Sequence, residues 1–265
     1  MKTNPVKELL KAGKPAFGTW LSFGDLLATR ILARMGFDWM TVDTEHSAID
    51  WSQVAALVGA IADAGCVPIV RVPEGNHRDI KRALDAGAWG IVAPMVDTVE
   101  QAQAIIAATK YPPVGKRSLG AVAPSLSYSA SPDEYFAKAN DEVLVILQTE
   151  SPTGIANAEA IYSLPGVDAI FVGPVDLRAR LSGASGGPAT DADLEEAIAK
   201  VVAAGKATGT PTGMHAMDAA NAKRRAEQGM QFIAVASDLR FMSAKAAEEI
   251  GSVKPENIGR MAIGY

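Results

Sequence analysis

The sequence predicts a (β/α)8 TIM barrel, folded as a single domain over residues 1–265. Three observations point there. Eight short apolar, β-branched runs recur, and each leads into a stretch of helical periodicity. The runs are continuously apolar rather than alternating, as parallel strands covered by helices must be. No composition break or linker divides the chain, and eight such units in this length fit a closed barrel better than an open doubly wound sheet.

The units follow in order. AFGTWL (16–21) is the first strand, with a helix near 25–35. DWMTVD (38–43) is the second, with a helix near 50–64. VPIVRV (67–72) leads to a helix near 77–86, and WGIVAP (89–94) to one near 97–109. Residues 111–140 then form the one long irregular stretch, of the kind that carries function or an interface. VLVILQTE (143–150) precedes a helix at 153–163. DAIFVG (168–173) is followed by a flexible loop at 182–190 and a helix at 191–208. TGMHA (212–216) and FIAVAS (232–237) are the last strands, with helices near 217–228 and 240–250. Gly36, Gly65, Gly87 and Gly229 fall where helix C-caps belong.

Composition narrows the function classes. A hydrophobic content of 48% supplies a sizeable core, and the net charge of −5 argues against nucleic acid or an anionic membrane as partner. The single cysteine, Cys66, excludes an internal disulfide and reads as a buried small apolar residue. The polar N-terminus has no secretory h-region, and no apolar run approaches a membrane span. A cytoplasmic protein is expected.

Barrel chemistry gathers at the C-terminal ends of the strands. Those ends offer Trp20; Asp43, Glu45 and His46; Arg71; Pro94 and Met95; Gln148 and Glu150; Gly173-Pro174-Val175-Asp176; His215; and Ser237 with Asp238. Glu150 and Asp176 read either as caps and solvated acids or as a pair sharing a divalent cation, which takes oxygen ligands and leaves places for substrate and water. The glycine in GPVD lets backbone approach a ligand, and the N–H groups after it can receive a carboxylate. Arg71 reads either as a structural ion pair with Glu45 or another acid, or as a stabiliser of a developing oxyanion. His46 reads either as part of a helix cap or core, or as a general base, since imidazole titrates near neutral pH. His77 reads as the start of a solvated helix. No strand end carries a lysine, which argues against a Schiff-base mechanism. No glycine-rich phosphate cradle follows strands 7 and 8, which argues against phosphorylated sugars.

Read together, GFDWMTVDTEHS (36–47), VPIVRVP (67–73), IKRALDAGAWGIVAPMV (80–96), KYPPVGKRSLG (110–120), ANDEVLVILQTES (139–151) and VDAIFVGPVDL (167–177) resemble the HpcH/HpaI family of metal-dependent, class II pyruvate aldolases. The similarity runs from about residue 16 to about 250. The resemblance implies reversible cleavage of a 4-hydroxy-2-oxo acid to pyruvate and an aldehyde, through a pyruvate enolate held at a divalent metal (Mg²⁺, Mn²⁺ or Co²⁺). It implies Glu150 and Asp176 as metal ligands. Gln148 would support the water shell, and Gly173, Pro174, Val175 and Asp176 would receive pyruvate. Arg71 would stabilise the enolate oxygen, and His46 would move the proton of the aldol hydroxyl. Asp85 would orient His46, acting across a subunit interface, and Asp43 and Glu45 would buttress the site. Trp20 and His215 would line the substrate pocket. A homohexamer is implied, with small-molecule substrates and neither nucleic acid nor membrane as partner.

Some positions depart from the family pattern. Thr149 and Ser151 replace an aliphatic residue and a threonine around Glu150, Arg178 replaces a serine, Ser118-Leu119 stand where glycine often begins a turn, and His215 replaces an aliphatic residue. His215 and Arg178 together raise the expectation of a polar or acidic aldehyde. The rival readings are a CoA-thioester lyase of the same superfamily, which would want a basic groove, and a catalytically inactive barrel with a binding role.

Overall fold

The computed structural model describes residues 1–185 and 187–254. All eight expected strands form: β1 (Ala16–Leu21), β2 (Trp39–Asp43), β3 (Val67–Arg71), β4 (Gly90–Ala93), β5 (Leu144–Thr149), β6 (Ala169–Val172), β7 (Thr212–Ala216) and β8 (Phe232–Ser237). They close in sequence order into a parallel barrel, with β1 pairing both β2 and β8. The helices are α1 (Pro5–Lys11), α2 (Leu26–Leu32), α3 (Trp51–Asp63), α4 (His77–Asp85), α5 (Val99–Thr109), α6 (Val122–Ser127) and α7 (Pro132–Glu142). After β5 come α8 (Pro152–Ala156), α9 (Ala158–Tyr162), α10 (Pro174–Ser185), α11 (Asp191–Thr208), α12 (Ala219–Glu227) and α13 (Asp238–Val253). The four expected C-cap glycines all have positive φ, between 84° at Gly65 and 102° at Gly87. No helix among the described residues is long and apolar enough to cross a membrane.

Aromatic rings fill the barrel interior beneath the strand ends. Trp39 of β2 and Phe232 of β8 stack with centroids 4.1 Å apart, and Phe171 meets Phe232 edge-on at 6.0 Å. Gly18 of β1 makes room for this pair, because a Cβ there would overlap the Trp39 ring. Trp20, two residues on and on the same face, packs 5.5 Å from Phe171 and forms the floor of the site. Cys66 is buried as expected, and burial pushes its thiol pKa up to about 12.

Three expectations need correction. The segment 111–140 is not irregular: it carries α6 and most of α7. Ser131 accepts from the Glu134 N–H while Glu134 accepts from the Ser131 N–H, with Pro132 at the first helical position. The segment packs against the N-terminal end of the barrel, where Tyr128 stacks on Trp89 at 4.1 Å just before β4. The helix expected at 153–163 is two short helices, broken at Asn157, whose side chain donates to the Asp97 carbonyl at 2.7 Å. Of the loop expected at 182–190, Gly186 lies outside the described residues, and α10 runs to Ser185.

Candidate active site

The C-terminal strand ends surround a cavity of about 430 Å³, lined by Trp20, Asp43, His46, Arg71, Gln148, Gly173 to Asp176 and His215 among others. Its centre is an arginine held on several sides. Asp43 and Arg71 are direct register partners on β2 and β3, so their side chains leave the sheet side by side. Arg71 donates through Nε to Asp43 Oδ1 at 2.8 Å and through Nη2 to Oδ2 at 2.6 Å. Its Nη1 lies 3.2 Å from Glu45 Oε2, and its Cζ stands 4.5 Å from the Trp20 ring centroid. Burial works against the Arg71 charge. The hydrogen bonds and charge of Asp43, with the charges of Glu45 and Glu150, outweigh it and hold the pKa above the ordinary guanidinium value. The sequence left two readings for Arg71, and the geometry satisfies both: it is ion-paired, and it faces the cavity.

Asp43 also organises the loop that carries His46. Its Oδ1 accepts the N–H groups of Glu45 at 3.0 Å and His46 at 3.3 Å, and its carbonyl accepts from Ser47 Oγ. Asp50 then caps α3 in a reciprocal box with Gln53. His46 lines the cavity with its side chain about half exposed, and its Nε2 lies 3.7 Å from Glu45 Oε1. Burial raises the Glu45 pKa, against the opposing charges of Arg71 and His46.

The period-2 geometry of β5 divides its end residues. Gln148 and Glu150 point inward, while Thr149 points outward and accepts from the Tyr162 hydroxyl at 3.0 Å. The departure at residue 149 therefore falls outside the site. Glu150 is buried. Its Oε1 accepts from the Met95 N–H at 2.8 Å, and its Oε2 from Gln148 Nε2 at 2.8 Å. Met95 takes φ 60° to make that contact. A non-glycine residue in this region costs on the order of 1 kcal/mol, offset here by the bond to a buried carboxylate. Gly173 is required: a Cβ there would collide with Glu150 Oε2 and sit 2.7 Å from Gln148 Nε2. α10 starts at Pro174, and its first helical hydrogen bond runs from the Leu177 N–H to the Gly173 carbonyl. The N–H groups of Val175 and Asp176 are thus left facing a cavity that both residues line.

A divalent cation fits these residues. Burial raises the Glu150 pKa; the Met95 and Gln148 hydrogen bonds oppose it, the nearby charge of Asp176 raises it further and that of Arg71, already committed to Asp43 and Glu45, lowers it. Gln148 Oε1 is buried without a hydrogen-bond partner, free to accept from water on an ion. Two carboxylates with waters suit Mg²⁺-like ions, which need few protein ligands. Among the described residues no cluster of three or more His, Cys, Asp or Glu groups is placed to hold a metal.

Asp85 is not brought to His46 within the chain. It ends α4, the helix that returns from the top of β3 to the bottom of β4, so it lies at the opposite end of the barrel. There Asp85 Oδ1 accepts from Arg117 Nη2 at 2.9 Å.

Comparison with known proteins identifies the family. The family model described as HpcH/HpaI aldolase/citrate lyase matches residues 17–244. The chain belongs to this family. It is 37% identical to a hydroxypyruvate/pyruvate aldolase of Paraburkholderia phytofirmans over 258 residues, which is 95% of this chain and 98% of that one. It is also 37% identical to a 2-keto-3-deoxy-L-rhamnonate aldolase of Klebsiella pneumoniae, covering 96% of this chain and 95% of the relative. The crystal structure of an HpcH/HpaI aldolase/citrate lyase family protein from Burkholderia cenocepacia superposes with a TM-score of 0.87 at 35% identity, over 95% of this chain and all of that one.

Within this HpcH/HpaI barrel, the structure redraws the far wall of the cavity. His215 lies on it, 6.4 Å from Trp20 between ring centroids. Burial, then the charges of Arg71 and Arg240, push its pKa down to about 4, so it is neutral at pH 7. Arg178 is not on this wall. It pairs with Asp191 at 2.5 Å and donates to the Ala189 carbonyl at 3.2 Å, away from the cavity lining. The arginine that is there, Arg240, was missed in the sequence. It sits three residues past the end of β8 on the first turn of α13, beyond the strand tip where chemistry was sought. Asp238, a strand-end candidate, has a structural role: its carboxylate accepts the N–H groups of Ser22, Phe23 and Leu239.

Proposed function

We propose that this protein is a divalent-metal-dependent aldolase that reversibly cleaves a 4-hydroxy-2-oxo acid to pyruvate and an aldehyde. The observation that carries the reading is one cavity flanked by a caged arginine, two neighbouring carboxylates and two free helix-terminal N–H groups. Glu150 and Asp176 hold the cation, Mg²⁺, Mn²⁺ or Co²⁺, with Gln148 accepting from its water. When bound, the ion supplies a Lewis acid that polarises the 2-oxo group.

The protein's own groups do the rest. The amides of Val175 and Asp176 receive the pyruvate carboxylate, at the positive end of a helix. Cleavage breaks the C3–C4 bond, and the electron pair moves toward C3 and the 2-oxo oxygen. Arg71 stabilises that developing charge, and Asp43 and Glu45 fix its guanidinium so that little reorganisation accompanies the step. The C4 hydroxyl proton goes to His46, and the hydroxyl carbon leaves as the aldehyde.

Asp85 acts from a second copy in a homohexamer. Its side chain is 35% exposed, and Oδ2 has no partner among the described residues while Oδ1 is held by Arg117. Around it the 111–140 segment exposes Leu119, Val122 and Leu126, apolar side chains that a neighbouring copy would cover. We place the enzyme in the cytoplasm.

Deuterium exchange of the pyruvate methyl group, followed by NMR, tests the reading. Exchange is expected with Mn²⁺ or Mg²⁺, and is expected to vanish with EDTA or in Glu150→Gln. A folded, metal-binding protein that shows no exchange with any divalent ion would move the assignment to the thioester lyase or the inactive barrel.

A further inference from the structure

We infer that Asp97 is a positioning residue for the cation site, setting the spacing of Glu150 and Asp176 from outside the cavity. The inference rests on the metal-dependent reading above and adds a residue to it. Asp97 lies on the loop between β4 and α5 and is not one of the residues that line the cavity. All of its polar atoms are nevertheless committed. Its N–H donates to Gln101 Oε1 at 2.8 Å, and its carbonyl accepts from Asn157 Nδ2 at 2.7 Å. Its Oδ1 accepts from Ser151 Oγ, and its Oδ2 lies 3.5 Å from Arg180 Nη1.

The two side-chain contacts land beside the two ligand carboxylates. Ser151 directly follows Glu150, and Arg180 stands about one helical turn after Asp176 on α10. One carboxylate therefore ties the end of β5 to the helix that carries the other ligand. The loop around Asp97 also meets the end of β5 through three successive residues. The Met95 N–H donates to Glu150 Oε1 at 2.8 Å, the Val96 N–H donates to the Gln148 carbonyl at 3.2 Å, and Asp97 accepts from Ser151. Met95 has φ 60°, a conformation that a non-glycine residue keeps only where its surroundings hold it. Arg180 helps to hold it, because its Nη2 lies 2.9 Å from Met95 Sδ. Gly154 leaves room for the crossing: a Cβ there would stand 3.1 Å from the Val96 carbonyl oxygen and 3.2 Å from Asp97 Oδ1. Such a clamp matters at a site with only two protein carboxylates. Their spacing then sets the affinity, and Mg²⁺-like ions tolerate little departure from octahedral geometry. Groups that hold ligands without touching the ion change metal affinity by roughly 10–100-fold when they are removed.

The test is Mn²⁺ binding, followed by the EPR signal of the free ion, with a melting curve of each metal-free protein. It compares wild type with Asp97→Ala, Asp97→Asn, Arg180→Met and the double variant Asp97→Ala/Arg180→Met. Wild type is expected to bind the ion and Glu150→Gln to lose it. Asp97→Ala is expected to raise the Kd by roughly tenfold or more. Asp97→Asn keeps an acceptor for Ser151 and is expected to recover part of that affinity. Arg180→Met is expected to weaken binding by a smaller factor, and to add little to Asp97→Ala, because the two residues act through one contact. The Mn²⁺ concentration that gives half-maximal methyl exchange of pyruvate should rise in step with the Kd. If Asp97→Ala does not fold, weakened binding in both Asp97→Asn and Arg180→Met carries the same expectation. A merely structural link would lower the melting temperature and leave the Kd where it is. An unchanged Kd in the folded Asp97 variants would therefore overturn the inference, and so would full additivity in the double variant. Both outcomes leave the metal reading intact while Glu150→Gln abolishes binding. Wild type that binds no Mn²⁺, or binding that survives Glu150→Gln, defeats the cation site itself and the inference with it.

Discussion

Two arginines, one at each end of the barrel, are held by the same kinds of group and serve different ends. Arg71 at the top meets Asp43, Glu45 and the face of Trp20. Arg117 at the bottom meets Asp85, the Tyr135 hydroxyl at 2.9 Å, and the rings of Tyr111 and Tyr135 at 4.6 and 5.7 Å. Arg71 keeps 12% of its side chain exposed, toward a cavity, while Arg117 has none. Burial opposes the charge in both, and acids or tyrosines restore it. The difference is what lies on the open side. Arg71 has a cavity there into which substrate can bring charge. Arg117 is closed by tyrosines, so its charge is spent on structure and on presenting Asp85.

The same substitution at both positions should separate the two roles. Arg71→Lys keeps the charge but loses the fork, and is expected to lower kcat for aldol cleavage by roughly 10²–10³-fold, beyond any stability cost from its own buried pair with Asp43. Arg117→Lys is expected to cost about 2–3 kcal/mol of unfolding free energy in urea, since it strips partners from a buried pair whose acid is partly exposed. Stability losses of equal size at both positions, with activity spared at Arg71, would erase the contrast.

A third, smaller effect concerns the neutral histidine beside Arg71. The folded His215 pKa of about 4 lies below the unfolded value near 6.5. The unfolded chain therefore binds the extra proton between those pH values. The associated stability is complete above pH 6.5 and is lost as pH falls toward 4. His215→Leu should remove that slope, so the stability difference between variant and wild type should change by about 1–3 kcal/mol between pH 7 and pH 4. Parallel stability–pH curves for the two proteins would mean that folding does not lower the His215 pKa. The same variant should also alter aldehyde preference, and an unchanged preference would remove His215 from the substrate wall.

Legibility varied with how local the signal was. The strands were readable because covered parallel strands are apolar on both faces, and all eight form within two residues of the expected ends. Asp43, Arg71, Gln148 and Glu150 were readable as strand-end residues because strand ends are written in sequence, whereas the pairing of Arg71 with Asp43 and of Gln148 with Glu150 came from the structure, the sequence having offered Glu45 or another acid for Arg71. α6 and α7 were missed although Ser131-Pro132-Asp133-Glu134 spells a helix start. A run of proline, serine and glycine before it outweighed a four-residue cap signal. Arg178 was given a pocket role that only its position in the sequence supported, while Arg240 sat unremarked on the turn after the last strand.

The sequence by itself determined the barrel, its strand order, and which strand ends carry acids, an arginine and a histidine. Hydrophobic period and residue chemistry are local properties, and they survive without coordinates. Only the tertiary structure decided who faces whom. It sent Asp85 to the far end of the barrel, because a helix after a strand must run back to the start of the next one. It turned Thr149 outward and left Gln148 Oε1 without a partner. It removed Arg178 from the cavity and put Arg240 in its wall, because the direction in which a side chain leaves a helix depends on how that helix packs on the barrel.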